Sequence, residues 1–459
     1  MIRTTLVSHA CLLIQAKNLN IMTDPVFFDP HWEDINVMCP KREIDFAKFP
    51  KVDVLYLSHR HQDHFDVRTL AFLKRSDILV PDFELISPKD PILLEVLSAL
   101  EYPLPRVAAD FETFRIGDVF FTPTPSLIEA DFPEHGLIIH DGEVTVWNQV
   151  DTVVSPPIIQ YMKKHHPPID LMHARFLPLL EGNFTHHQAI KLPYEEYSSF
   201  MKVVKAVGPR FIVPGSAGFR YSDDYRFLNQ YSFPTSQEQY LIDMKAFCPE
   251  VERSGFFPGD VAEVRSEGVR IFPQDSDFVS TLVDDGYKIE FKPVMRVDPI
   301  KNRVDDPTEV EKIKTEVVSF IENKMLDRLM DCKISEVWRH WCAVYQLEVF
   351  GQSESDIWTF DFGGEPKVVK GRTGKINVYE GIGLVEFYEF LNGKSNWDFV
   401  GGSAQYRTFH NVYRVDNGFF ESYPQEKKFP QPLMELFPEE HAMNLEKFMK
   451  EVRRWKNTE

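Results

Sequence analysis

The six residues from His59 to His64 constrain this chain more than any other stretch. The strand-like run Val52-Asp53-Val54-Leu55-Tyr56-Leu57 leads straight into Ser58-His59-Arg60-His61-Gln62-Asp63-His64-Phe65-Asp66, which packs three histidines and an aspartate into that span. Residues two apart on an extended segment share a side. His59 and His61 can therefore bind one metal ion together through imidazole nitrogen, a common metal donor. Asp63 and His64 turn with the chain and can reach a second ion. Only 15 histidines occur in 459 residues, so a polar loop with chance histidines is the weaker reading.

The rest of the first half alternates short apolar runs with turn residues. Ala10-Cys11-Leu12-Leu13-Ile14 and Ile21-Met22, before Asp24-Pro25, read as two strands and a turn. Val119 to Thr122, Leu137 to Ile139 and Val144 to Val150 read as further strands. Phe200, Val203, Val204 and Val207 fall at i, i+3, i+4 and i+7, which predicts an amphipathic helix ending at Gly208-Pro209. The buried-strand pattern Phe211-Ile212-Val213-Pro214 follows. Strands and helices mixed in this way predict an α/β architecture, with sheet layers covered by helices.

A chain of 459 residues is too long for one ordinary domain. Its character changes near residue 265, which predicts a first domain over 1–265 and an α+β C-terminal domain over 266–459. In the latter, Asp306-Pro307 opens a long helix with the apolar stripe Val310, Ile313, Val317, Ile321, Met325 and Leu329. Ser335 to Tyr345 reads as another helix, and Gly371-Arg372-Thr373-Gly374-Lys375 as a glycine-rich turn too short for a phosphate-binding loop. This half carries no catalytic signature. It is expected to shape or cover a substrate entrance, or to mediate assembly into a homo-oligomer.

Charge and cysteine usage exclude several partners. With 51 basic against 70 acidic residues the net charge is −19, which phosphate backbones repel, so nucleic acid is not expected. No apolar run approaches the roughly 18 residues of a transmembrane segment. The N-terminal apolar run breaks at Ser8-His9 and does not read as a secretory signal. The five cysteines are scattered, with no CxxC or CxH pair, so neither a disulfide framework nor a Cys-based zinc or Rieske site is expected. A cytoplasmic location is the expectation.

The motif His59-x-His61-x-Asp63-His64 resembles that of the metallo-β-lactamase superfamily. Ser8-His9-Ala10-Cys11-Leu12-Leu13-Ile14, with Thr23-Asp24-Pro25-Val26-Phe27, looks like its lactonase and N-acyl-phosphatidylethanolamine phospholipase D branch, and Pro258-Gly259-Asp260 resembles the closing strand of the same domain. The resemblance covers residues 1–265 and implies an αββα sandwich around one or two metal ions. It further implies that Asp151 bridges both ions, a task that suits a carboxylate; a cap on the turn at Thr152 is the alternative. Where relatives carry a histidine before that aspartate, this chain offers Glu129, with Glu134 and His135 as rivals. A glutamate takes this place in the di-iron oxygenases that share the fold, and cytidine-monophosphate sialic acid hydroxylase-like proteins are relatives of similar pattern. Most relatives also place a last histidine after the strand equivalent to Phe211–Pro214, where this chain reads Gly215-Ser216-Ala217-Gly218. His186 or His187 is expected to complete the second site or to contact substrate, with His173 a further option. His9 and Asp24 are expected to orient ligands or to pack the first hairpin.

Donor chemistry then separates the reactions. The set His59, His61 and His64 against Asp63, Glu129 and Asp151 is rich in carboxylate, which favours iron over zinc, with manganese also suited. The leading expectation is a di-iron oxygenase that uses dioxygen to hydroxylate or oxidise a small organic substrate. His59, His61 and Glu129 would hold the first iron, Asp63 and His64 the second, and Asp151 would bridge them. Catalysis would rest on Asp63, Glu129 and Asp151. An external electron donor is implied, since no flavin, nicotinamide or Fe–S motif is present. The alternatives are a zinc hydrolase of a phosphodiester, lactone or amide, in which Asp63 assists the nucleophilic water, and a degenerate domain with a structural or sensory metal. Ser216, Arg220 and Tyr221 are expected at the site mouth, where Arg220 and Tyr221 meet an anionic substrate group.

Overall fold

Period-two burial builds the layers that hold the site. In the strand Cys11–Ala16, Cys11 and Leu13 join one apolar cluster while Leu12 and Ile14 join another. In Val52–Tyr56, Leu55 parts from Val54 and Tyr56 in the same way. Successive side chains on a strand face opposite ways, so a strand that is apolar on both faces must be covered on both. The computed structural model describes residues 1–127, 132–186, 192–282, 291, 302–373, 376–416, 418–424, 428–439 and 441–457.

These strands belong to an eight-stranded sheet in the order Gly268–Phe272, Val261–Arg265, Ile2–Ser8, Cys11–Ala16, Leu19–Thr23, Val52–Tyr56, Leu79–Ser87, Arg106–Val107. A seven-stranded sheet runs Glu252–Arg253, Phe211–Gly215, Leu171–Arg175, Thr145–Asn148, His135–His140, Val119–Pro125, Phe114–Ile116. The two sheets share a core that includes Leu12, Ile14, Tyr56, Phe121, Ile139 and Val213. The other face of the first sheet is closed by the helices Val67–Arg75, Pro91–Ala99 and His441–Trp455, through Leu70, Leu93, Phe448 and Val452. Beside the second sheet, the helices Pro156–His165 and Tyr194–Val207 pack together, the latter also against Leu171–Arg175. The helix at Tyr194–Val207 stops where Gly208 turns left-handed at φ +67, a conformation that costs glycine little. The result is the αββα sandwich expected from the sequence.

The chain divides into two compact units: Met1–Leu179 with Lys191–Lys292 and Leu445–Glu459, and Leu180–Ile190 with Pro293–Asn444. The division thus differs from a single boundary at 265. The strand Val279–Thr281 pairs with Arg42–Ile44, and Phe448 and Val452 return the chain end to the first core. The second unit is α+β, with a mixed five-stranded sheet in the order Lys367–Lys370, Ser355–Asp361, Val344–Phe350, Val378–Gly383, Tyr406–His410. Its helix Pro307–Phe320 buries Ile313 and Val317, and Ile321, Met325 and Leu329 extend the same stripe. The helix expected over Ser335–Tyr345 is shorter, Ser335–His340. Cys342 breaks it at φ +46, and the alternating run from Val344 becomes a strand. Among the described residues, no helix is long and apolar enough to cross a membrane.

Candidate metal centre

Strained turns carry the site. His9 follows the strand Ile2–Ser8, Asp24 follows Leu19–Thr23, Val150 lies just past Thr145–Asn148, and Ser216 follows Phe211–Gly215. Their φ angles are +34, +39, +55 and +54. Left-handed backbone is costly away from glycine, most of all for a β-branched residue such as Val150, and such strain clusters at functional sites. The kink at Val150 delivers the carboxylate of Asp151. The loop from Ser58 to Phe65 closes on itself, with the amides of His64 and Phe65 donating to the carbonyl of His61. Phe65 is fully buried and Asp66 caps the next helix through the amide of Thr69 (2.9 Å), so the loop is pinned at its exit.

Two groups of ligand atoms converge, each lying within 4.8 Å of one another: His59, His61 and Asp151 form one, and His9, Asp63, His64 and Asp151 the other. His59 Nε2 stands 2.8 Å from His61 Nδ1. His64 Nε2 lies 3.2 Å from Asp151 Oδ2 and 3.8 Å from Asp63 Oδ2. Asp151, shared by both groups, has the geometry of a bridge.

The hydrogen bonds around these rings assign their tautomers. Asp24, fully buried, accepts from the Ser58 amide (2.8 Å) and the Ser58 hydroxyl (2.7 Å). Having given its proton to Asp24, the Ser58 oxygen accepts from His59 Nδ1 (2.9 Å), which leaves Nε2 with its lone pair toward the cluster. His64 Nδ1 donates to Asp24 Oδ2 (3.1 Å), which aims Nε2 at Asp63 and Asp151, where it holds a hydrogen that a bound cation would replace. One carboxylate thus orients two imidazoles, the arrangement that raises ligand basicity in metal sites. His9 is set the other way. Its Nδ1 accepts from the Gly218 amide (3.1 Å), so Nε2 carries hydrogen and donates to Asp63 Oδ2 (3.2 Å). Gly218 makes this approach possible, because a Cβ there would meet His9 Cα at 2.9 Å.

Electrostatics favour a cation at this place. Burial alone would lower the proton affinity of His64, yet Asp63 and Asp151 raise it well above the usual histidine range. Burial would raise Asp151, but His64 and then Arg175 hold it well below the usual carboxylate range. His59 is kept neutral by burial and by the neighbouring His64 and His61. Asp63 Oδ1 and Glu134 Oε1 are buried without a hydrogen-bond partner among the described residues. Leaving such oxygens unsatisfied is costly, and a bound cation removes the cost. The residues therefore fit a pair of metal ions, one on His59, His61 and Asp151 and the other on Asp63, His64 and Asp151.

The remaining expected residues divide. Glu129 and His187 lie outside the described residues. Of the rivals to Glu129, His135 is engaged by Asp110 at 2.9 Å, whereas Glu134 is pushed up to about 7 by burial and by the charge of Asp151. His186 belongs to the second unit, where burial and its neighbours Lys428 and His410 lower its proton affinity. A cavity of about 980 Å³ opens beside His9 and is lined by Cys39, Phe176, Gly215, Ser216 and Arg220 among others. Ser216 turns a buried hydroxyl without a hydrogen-bond partner among the described residues. Arg220 stacks its guanidinium 4.1 Å from the Phe233 ring centre. Tyr221, expected at the mouth, is instead buried among Phe219 and Phe233 and does not line the cavity, because neighbours on the strand Phe219–Tyr221 face opposite ways. Ser58 was missed by the sequence reading; its position between the strand and His59 was the available signal.

Comparison with known proteins places this first unit. A family model described as a β-lactamase superfamily domain matches residues 3–148. A Mycobacterium tuberculosis protein named as a Rieske 2Fe-2S iron-sulfur protein is 29% identical over 157 residues, which is 32% of this chain and 30% of that one. The chain thus spans about a third of the length of that relative. Among solved structures, CmlA, a diiron β-hydroxylase from Streptomyces venezuelae, aligns at TM-score 0.41 and 15% identity over 59% of this chain and 54% of its own. Igni18, a metallo hydrolase from Ignicoccus hospitalis, aligns at TM-score 0.40 and 12% identity over 59% and 98%. Residues 3–148 thus match a β-lactamase superfamily domain, and the αββα layers and the His59-x-His61-x-Asp63-His64 loop agree with the resemblance to the metallo-β-lactamase superfamily.

Proposed function

We propose that the first unit is a dinuclear metal enzyme that oxidises a small organic substrate with dioxygen, iron being the metal. One observation carries this reading. Among the described residues, His59 and His61 are the imidazoles of their group, and its third donor is the carboxylate of Asp151. Glu134 is the nearby acid with one buried oxygen that lacks a hydrogen-bond partner among the described residues, while His135 is engaged by Asp110. Two imidazoles and one carboxylate with open positions beside them are the donor set of non-haem iron sites. When bound, an iron pair supplies the redox chemistry that puts one atom of dioxygen into the substrate and releases the other as water, consuming two electrons and two protons.

The residues of this chain prepare that chemistry. Asp24 and Ser58 hold His59 and His64 in the tautomers that expose Nε2. His9 steadies Asp63 by donating to Oδ2. Burial and the charge of Asp151 push Glu134 up to about 7 before metal binds, so its buried oxygen can hold a proton there. The cavity beside His9 receives the substrate, with Arg220 and Ser216 as polar anchors on a wall that mixes apolar residues such as Phe176 with polar ones such as Gln237 and Arg253. Electrons come from a separate carrier. The name of the mycobacterial relative fits this, because a Rieske cluster is a one-electron carrier.

Metal analysis of protein purified with and without oxygen tests the reading. An iron pair per chain, with oxygen uptake when a chemical reductant is added, is the expected result. A zinc pair with turnover of a phosphodiester, lactone or amide would overturn it in favour of a hydrolase.

A further inference from the structure

We propose that His173, from the strand between those leading to Asp151 and to Gly215, is a ligand of the second metal ion and takes the place of the side chain that Gly215 lacks. This rests on the dinuclear reading above and identifies the donor that the second ion is short of. The strand Leu171–Arg175 pairs in parallel with Thr145–Asn148 on one side and with Phe211–Gly215 on the other, setting Asn148, His173 and Val213 side by side.

The hydrogen bonds of His173 fix its protonation. Asn148 donates its amide nitrogen to Thr23 Oγ1 (3.4 Å) and accepts from the Val150 amide (3.3 Å), which identifies its Oδ1 as the acceptor. His173 Nδ1 lies 2.9 Å from that Oδ1 and so must donate to it. Nε2 is then the unprotonated nitrogen. It is an aromatic lone pair in a residue only 2% exposed, and no donor among the described residues reaches it. A buried acceptor of this kind costs stability unless a donor or cation meets it.

Gly215 supplies the second observation. A Cβ built there would lie 2.5 Å from His173 Nε2 and 2.6 Å from both adjoining ring carbons. The tip of the imidazole therefore occupies the volume that any side chain at 215 would need. Gly215 lines the same cavity wall as His9, and the charges of both His9 and Asp151 reach the His173 ring. His9 Nε2 also lies within 4.8 Å of Asp63, His64 and Asp151, but it carries the hydrogen that Asp63 accepts, whereas the lone pair of His173 Nε2 is already free. Ring nitrogen, tautomer and space together leave His173 as the imidazole prepared for the ion.

Titration of metal-free full-length protein with cobalt(II) alone, against a competing chelator, tests this without any substrate. The wild type is expected to bind two ions. His173→Ala should retain the first and bind the second at least a hundredfold more weakly, with loss of one component of the visible cobalt spectrum. Gly215→Ala leaves the histidine in the sequence but drives its ring from the space, and should weaken the same ion. The double variant His173→Ala with Gly215→His should recover the second ion. If His173→Ala fails to fold, Gly215→Ala and the double variant carry the test. Two ions held by His173→Ala or by Gly215→Ala with wild-type affinity would overturn the inference and leave the dinuclear reading standing. A wild type that holds fewer than two ions overturns both.

Discussion

Asp24 concentrates more of the site's organisation than any proposed ligand. It accepts three hydrogen bonds, from the amide and hydroxyl of Ser58 and from His64 Nδ1, with no exposure to water. An asparagine at this position has one acceptor oxygen and adds two donors, so at least one buried donor loses its partner. Asp24→Asn is expected to cost about 1–3 kcal/mol of stability and to weaken metal binding about 10- to 100-fold. Thermal melting with and without metal, together with chelator competition, would show both effects; an unchanged metal affinity would rule out the orienting role. The sequence disclosed what is local. His59, His61, Asp63 and His64 are legible because alternation and a single turn bring them together. Asp151 was legible through the resemblance, and Asp24 could be named without showing which atoms it held. The tautomers of His9 and His173 were not legible, since they depend on Gly218 and Asn148, residues brought close only by the packing of distant strands.

At the scale of elements, the metal loop is braced by the helix that follows the next strand. Asp90 caps Pro91–Ala99 by accepting from the amides of Ile92 (2.8 Å) and Leu93 (3.2 Å), and its other oxygen takes Arg60 Nη1 at 3.2 Å. Arg60 lies between His59 and His61 in sequence, and its guanidinium also stacks 4.2 Å from the Phe132 ring centre. Asp90→Ala removes the cap and strands a largely buried charge, which predicts a loss of about 2–4 kcal/mol. Asp90→Asn keeps a capping oxygen and is expected to lose less than half as much. Urea unfolding of the two variants separates cap from ion pair; equal losses would show that the pairing with Arg60 contributes most of the effect. Elements with a strong period, such as Tyr194–Val207 and Pro307–Phe320, were readable from side-chain spacing alone. The stretch after Ser335 was misread because a helical period gives way to strand alternation within a few residues, and the left-handed break at Cys342 has no glycine to announce it.

Over the whole molecule, chain order conceals which residues fold together. The helix His441–Trp455 buries Phe448 and Val452 against the first unit, an assignment that composition near residue 265 could not reveal. The second unit carries its own ionisable group at the centre of its packing. Glu380, on the sheet strand Val378–Gly383, is fully buried, accepts from the Leu433 amide (2.9 Å) and from the Tyr406 hydroxyl, and is pushed up to about 7 by burial. Its ordinary value is 4.5, so between that pH and about 7 the folded protein keeps a proton that the unfolded chain has released. Stability must then fall as pH rises through this window, by on the order of 3 kcal/mol in all, and the contribution is constant on either side of it. Glu380→Gln cannot ionise. Whatever its amide group costs beside Leu433 and Tyr406 is the same at every pH, so the difference between wild type and variant isolates the carboxyl group from every other titration in the chain. Urea midpoints measured across this window should show the wild type losing stability relative to Glu380→Gln as pH rises. Parallel midpoints would mean that the carboxyl of Glu380 ionises in the folded protein as readily as in the unfolded chain, with its charge solvated by groups other than Tyr406 and Leu433.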